Sequence, residues 1–298
     1  MAIWTDAGVD DGLDVAYLRA HPQNLDRLIE HQRIRTTPLP GGDTCRAERL
    51  TLDDGSSVFA KSLLQAEPGF FASEVAGLRW LGGHVPVPEV IAGTESTLLL
   101  SWIEPGASTP AAAEDLGRSL AALHASGADA FGAVWRGWIG RLPMDNSPAS
   151  SWPEFYAGQR VIPFVRQAVD AGRMTVADAV VVERALDHIG NVGVPVEPPS
   201  RLHGDLWSGN VLWSAAGPAY LVDPAAHGGH RETDLAMLAL FGLPHLDRVF
   251  SAYDEAAPLG LGWRERVGLH QLHPLAVHAA MFGAGYGAGA AQLARRYV

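Results

Sequence analysis

Apolar and polar positions alternate in three short segments near the start of the chain, at 32–39, 45–52 and 57–64. Alternation with period two predicts half-buried strands. Asp53-Asp54-Gly55 stands between the last two and predicts a hairpin turn. Ahead of them, 13–29 has helical apolar spacing interrupted by His21-Pro22. Behind them, Pro68 opens a segment with Phe70, Phe71, Val75 and Leu78 at helical spacing, ended by Gly82-Gly83. Pro86 and Pro88 lead into two more strand segments, 89–92 and 97–103. The pattern to this point is a small antiparallel sheet with one helix.

From Pro105-Gly106 the period changes to that of helices. The segment 114–125 sets Leu116, Leu120 and Leu123 on one face, and longer amphipathic stretches follow at 153–171 and 175–190. A strand-rich interlude covers 201–224, and helices resume from Glu232. The Gly-Ala spacing over 282–291 predicts close helix packing. The expected fold class is α+β in two parts, residues 1–104 with the sheet and 105–298 mainly helical.

Composition narrows the partners. The 298 residues carry 22 basic and 33 acidic side chains, a net charge of −11, and no run of Lys or Arg. A nucleic-acid binder needs a basic face, so a small-molecule partner is the expectation. No apolar stretch reaches the length of a membrane span, and the acidic start lacks the pattern of a secretory leader, so a cytoplasmic protein is expected. The single cysteine, Cys45, has no partner for an internal disulfide. Lys61 is the only lysine among the 22 basic residues. Where coding bias has replaced lysine by arginine throughout, Lys61 marks a place where the two side chains do not interchange, or a chance survivor.

The densest chemistry is His203-Gly204-Asp205-Leu206-Trp207-Ser208-Gly209-Asn210, followed by an apolar strand pair and Asp223. A His-x-Asp, an Asn five positions beyond the Asp and a later carboxylate at a strand end have the spacing of a phosphotransferase catalytic loop. One carboxylate orients and accepts the proton of an attacking hydroxyl. An amide oxygen and a second carboxylate are hard ligands for Mg²⁺. Taken alone, Asp205 and Asn210 also suit a turn beside glycine. Lys61 at the end of a predicted strand and Glu74 on the following helix add the pair that grips ATP phosphates in kinases. Glu74 shares the apolar face of Phe70 and Leu78, where a carboxylate needs a cation. Gly41-Gly42 lies between the first two strands, where backbone N–H groups could approach a phosphate.

Over most of its length the sequence resembles the fructosamine kinases, or ketosamine 3-kinases. The resemblance rests on Gly41-Gly42-Asp43, the strand ending in Lys61, Ser73 to Leu78, the HGDLWSGN stretch, Leu221 to Pro224, Gly228 to Met237 and Phe241-Gly242. It implies a two-lobed protein-kinase-like fold and ATP-dependent phosphorylation of the sugar 3-hydroxyl of ribulosamines or fructosamines, free or on protein amines, after which the adduct breaks down. It further implies that Asp205 is the base, that Asn210 and Asp223 bind Mg²⁺, and that Lys61, Glu74, Gly41, Gly42 and Asp43 hold phosphates. Ser101, Trp102 and Ile103 then belong to a hinge whose backbone faces adenine. His203 and Asp234 support the catalytic loop, and Trp207 is either a wall for the sugar or a core aromatic. Pro224 stands where protein kinases have Phe, so a flip of that segment is not implied. Cys45 lies two residues beyond the place where some relatives carry a cysteine. A monomer is expected, with a Cys45-linked dimer as the alternative. His270, His273 and His278 have no neighbouring carboxylate in the sequence to complete a zinc pattern. The alternatives are a kinase for another hydroxylated metabolite, such as an aminoglycoside or a methylthioribose-like sugar, and a nucleotide-binding pseudokinase. The presence of Lys61, Glu74, Asp205, Asn210 and Asp223 together speaks against the last.

Overall fold

The computed structural model describes residues 15–25, 35–39, 44–52 and 55–298. The chain divides into two compact units, one of residues 1–75 and 88–102, the other of 76–87 and 103–298. The second division falls two residues before the expected 104, and 76–87 belongs with the larger unit.

In the smaller unit, β1 (Arg35–Pro38), β2 (Arg46–Thr51), β3 (Ser57–Ser62), β4 (Val90–Gly93) and β5 (Thr97–Ser101) form one antiparallel sheet in the order β1-β2-β3-β5-β4. Alternation places Val58 and Ala60 of β3 on one face, where they join Leu50, Ile91 and Leu99 in a buried cluster. Phe59 and Lys61 point to the other face. The turn between β2 and β3 closes with Leu52 N–H on Ser56 O (2.9 Å) and Gly55 N–H on Leu52 O (3.0 Å). Gly55 takes φ +84°, the left-handed conformation that favours glycine. Helix α1 (Val15–Ala20) ends at His21, and a 3₁₀ turn begins at Pro22, where the helical spacing breaks. Helix α2 (Phe70–Leu81) starts in the smaller unit and passes into the larger one after Val75.

The larger unit is mostly helical. Thr109 Oγ1 accepts the Ala112 N–H at 3.1 Å and Pro110 occupies the first turn, so α3 (Pro110–Ala125) begins four residues before the expected 114. Its Leu116, Leu120 and Leu123 are buried with Leu81, Val85, Leu221 and Tyr253. The long segment expected as one helix over 153–171 is three pieces: α4 (Trp152–Phe155), a π-helical turn (Tyr156–Val161) and α5 (Ile162–Asp170). The extra residue of such a turn shifts the helical phase by one position without changing the composition of the segment.

Strands β8 (Ser200–Leu202), β9 (Val211–Trp213) and β10 (Ala219–Leu221) lie in the expected interlude. A further strand, β11 (His227–Gly229), pairs antiparallel with β8. With two glycines in three residues it carries no alternation to read. Helices α7 (Glu232–Phe241), α10 (Leu272–Phe282) and α11 (Ala284–Ala294) belong to the helical end of the chain. In α11, a Cβ at Gly287 would lie 3.0 Å from Met174, whereas Gly285 and Gly289 have open space, so the Gly-Ala spacing marks one close approach. Among the described residues no helix is long and apolar enough to cross a membrane.

Candidate active site

In the smaller unit, β3 lies between β2 and β5, with Lys61 opposite Ala47 on one side and Leu98 on the other. The Lys61 Nζ donates to Glu74 Oε1 and Oε2 at 3.0 and 2.9 Å. Both residues are only 8% exposed. Removing one partner of such a pair leaves a buried charge and costs about 3–5 kcal/mol. Gly41, Gly42 and Asp43 lie outside the described residues. Cys45, half-buried and outside any disulfide, precedes β2.

At the expected hinge, Ser101 N–H donates to Glu89 O and Ser101 Oγ accepts the Glu89 N–H, each at 2.9 Å. The Trp102 ring carries the Arg49 guanidinium 4.5 Å from its centroid. Beyond Ile103, in the larger unit, Glu104 O accepts the Ala215 N–H at 2.9 Å. The Ser101 N–H and the Glu104 carbonyl are thus each used within their own unit.

In the larger unit, Asp234 at the start of α7 organises the loop that carries Asp205. Its Oδ2 accepts the His203 N–H at 2.8 Å and its Oδ1 the Gly204 N–H at 3.0 Å. Burial alone would push the Asp234 carboxyl up, but a hydrogen bond from His124 (Nε2 to Oδ2, 3.3 Å), the charges beside it and the Gly204 N–H hold it below its ordinary value. With its other ring nitrogen, His124 meets the Tyr253 hydroxyl at 2.8 Å. The His203 Nε2 donates to Val222 O at 2.9 Å and its Nδ1 accepts the Asp205 N–H at 3.3 Å. Burial lowers its pKa, which keeps the ring neutral in that tautomer. Gly204 takes φ +81°, and a Cβ there would overlap the Ala225 carbonyl, so only glycine fits.

These contacts aim Asp205. Asn210 Nδ2 donates to Asp205 Oδ2 at 3.0 Å and to Asp205 O at 2.8 Å, and lies 3.5 Å from Asp223 O. Burial pushes the Asp205 carboxyl up to about 7, with the Asn210 hydrogen bond opposing and the Asp223 and Asp234 carboxylates adding to the rise. Asp223 has φ +55°, a left-handed backbone at a residue other than glycine. Such strain of about 1–3 kcal/mol concentrates at functional sites. The carboxylate of Asp223 and the amide oxygen of Asn210 are hard donors with no sulfur or imidazole among them. A divalent cation there would relieve the repulsion among three neighbouring carboxyl groups.

Trp207 is 39% exposed. Its ring lies over Gly209 and meets Phe241 edge-on at 6.0 Å, and a row of rings continues through His278 to Phe282 and Tyr286. Trp207 is exposed at one end of this row, and Phe282 and Tyr286 at the other.

The fold also supplies His270 with a carboxylate that its sequence neighbourhood lacks. His230, Glu232 and His270 are buried, with potential ligand atoms within 4.8 Å of one another. Glu232 is already held by Arg266, whose Nη2 and Nε lie 2.5 and 3.0 Å from its two oxygens. Burial pushes Glu232 up, yet the hydrogen bonds from His270 and Arg266 bring it down to about 2. His230 Nδ1 accepts the Glu232 N–H at 3.3 Å, which leaves the ring proton on Nε2, the atom that a metal would need. Glu232 is thus engaged in a buried ion pair with Arg266, beside the two imidazoles.

The fructosamine kinase family model matches residues 21–298. The chain belongs to the fructosamine kinase family. A probable ketoamine kinase of Enterococcus faecium is 35% identical over 271 residues, covering 88% of this chain and 95% of the relative. The chloroplastic protein-ribulosamine 3-kinase of Arabidopsis thaliana is 30% identical over 259 residues, covering 82% and 77%. A crystal structure of a candidate fructosamine-3-kinase from Thermobifida fusca superposes with a TM-score of 0.85 at 49% identity, covering 89% and 93%. Aminoglycoside phosphotransferases share the protein-kinase-like fold. This fructosamine kinase family member is thus an ATP-dependent kinase of ketosamines. Two buried residues of its larger unit, Arg160 and His227, escaped the sequence reading: Arg160 is a lone cation inside the amphipathic stretch 153–171, and His227 stands just ahead of the Gly228–Met237 segment.

Proposed function

We propose that the chain transfers the γ-phosphoryl group of ATP to the 3-hydroxyl of a ribulosamine or fructosamine. The observation that carries this reading is the Asp205 carboxyl, held by Asn210 on a loop that Asp234 braces, where burial pushes it up to about 7. A base of that strength accepts a hydroxyl proton as the oxygen attacks phosphorus. Asn210 and Asp223 are the residues that would hold Mg²⁺, and Mg²⁺ bound there would offset the phosphate charge. Lys61, fixed by Glu74, supplies a point charge for phosphate oxygens. Trp207 and the rings beyond it give an apolar wall for the sugar and a face for the protonated amine of the adduct.

The test is ATP consumption with ribulose-, erythrulose- and fructose-lysine, using an aminoglycoside and a methylthioribose as controls, followed by location of the phosphate in the product. Turnover of a ketoamine with phosphate on the 3-oxygen is expected. Faster turnover of either control would overturn the substrate assignment.

A further inference from the structure

Arg160 lies in the π-helical turn Tyr156–Val161 and is 1% exposed. Among the described residues its guanidinium makes no hydrogen bond to a carboxylate. Nη1 donates to Asp145 O at 2.5 Å and Gln159 O at 3.2 Å, Nη2 to Asn146 Oδ1 at 2.5 Å, and Nε to His227 Nε2 at 3.3 Å. The cation lies 4.2 Å over the Phe155 ring, which also tilts against His227 at 5.5 Å. His273 Nδ1 meets the Arg160 carbonyl at 2.6 Å, tying the turn from the other side. A buried cation among neutral partners is costly, which asks what its geometry secures.

The hydrogen bonds answer for His227. An N–H of Arg160 pointing at Nε2 makes that atom an acceptor, so the ring proton sits on Nδ1. Nδ1 then donates to Ala225 O at 2.8 Å. Burial and the Arg160 charge push His227 well below its ordinary pKa, so the ring stays neutral in this tautomer. The Ala225 carbonyl follows Asp223 by two residues and lies against Gly204, the neighbour of Asp205. A Cβ on Gly204 would also lie 2.9 Å from His227 Cε1. One imidazole therefore touches both acid-bearing segments.

We propose that Arg160 and His227 form a buried positioning pair that holds the Asp223–Ala225 segment in register with the Gly204–Asp205 loop. Arg160 selects the tautomer, and His227 fixes the carbonyl that the two segments share. Both residues are buried, so the pair acts through the two segments it joins. This rests on the reading of Asp223 as a metal ligand.

The experiment compares His227→Phe with His227→Asn, reading nucleotide affinity by calorimetry with and without Mg²⁺ and, separately, kcat and KM for a ketoamine. Phe keeps the ring against Phe155 but loses both hydrogen bonds. Asn leaves a gap but can donate to Ala225 O from the place of Nδ1. Outer-shell partners of metal ligands typically contribute about 10–100-fold. The Phe variant should therefore lose about that much of the Mg²⁺-dependent gain in nucleotide affinity, with a fall in kcat and little change in KM. The Asn variant should retain most of the gain. The opposite ranking, Phe near wild type and Asn impaired, would show packing alone and overturn the pair. Nucleotide binding by wild type that ignores Mg²⁺ would overturn the metal reading and the pair with it. Binding that responds to Mg²⁺ without ketoamine turnover would overturn the substrate alone, while the ranking of the two variants still decides the pair. A measurement on the unaltered protein guards against variants that fail to fold: imidazole nitrogen shifts of His227 should report a neutral ring protonated at Nδ1. A proton on Nε2 would refute the proposal.

Discussion

Asp205 links stability to pH in a direction opposite to that of a typical salt-bridged acid. Its folded pKa of about 7 lies above the roughly 3.9 of an unfolded aspartate, so the folded state holds its proton through the interval between them. Stability contributed by this group therefore falls as pH rises from about 4 to about 7 and is level above that. Asp205→Asn should raise the melting temperature over wild type increasingly across that window and equal it near pH 3, while turnover drops by about 10²–10⁴. Equal pH profiles of melting would show that Asp205 is not destabilised as a carboxylate. Lys61 gives a second test, because it is the only lysine of the chain. Lys61→Arg keeps the charge but sets a planar fork where a compact ammonium fits, and should lower kcat more than about tenfold, or ~1.4 kcal/mol. Mg-ATP should protect Lys61 from an amine-selective reagent, read by peptide mass, and equal labelling with and without it would remove Lys61 from the phosphate site. The HGDLWSGN residues were legible because their chemistry is packed into eight positions. Glu74 was legible because a carboxylate on an apolar helix face demands a cation. Arg160 and the Glu232–Arg266 pair were not, since only tertiary folding brings their partners to them.

Among the elements, tight turns carry the sharpest requirements. Gly55 and Gly204 both have φ above +80°, but a Cβ at Gly55 meets nothing within 4 Å and one at Gly204 overlaps the Ala225 carbonyl. Gly55→Ala should lower stability by about 1 kcal/mol through backbone strain, and Gly204→Ala by clearly more. The difference between their denaturant midpoints measures the close approach of the Gly204 loop to the Ala225 segment. Equal midpoints would mean that these segments can part without loss. Element type was readable where the period was strong, as in β3 and α3. It failed at β11, whose glycines erase alternation, and at the π-helical turn, whose added residue shifts the helical phase without changing composition.

On the scale of the whole molecule, neither unit is a continuous stretch of chain, because residues 76–87 lie with the larger unit and 88–102 with the smaller. Leu81 and Val85 are buried among side chains that extend as far along the chain as Tyr253. A fragment of residues 1–104 keeps the whole five-stranded sheet but leaves Leu81 and Val85 without their partners. It should bind a hydrophobic dye and self-associate in sedimentation, and the double change Leu81→Gln, Val85→Gln should relieve both. A monodisperse, dye-silent fragment would show that these residues are covered from within the smaller unit. The same interleaving orders events during synthesis. As the chain leaves the ribosome, the sheet is complete once Ser101 has emerged, yet the core that the second half of helix α2 enters is complete only when translation has passed Tyr253. A helix begun by the first unit to finish is sealed only by the last, so the interval in which a chaperone has apolar surface to hold is set by the speed of elongation.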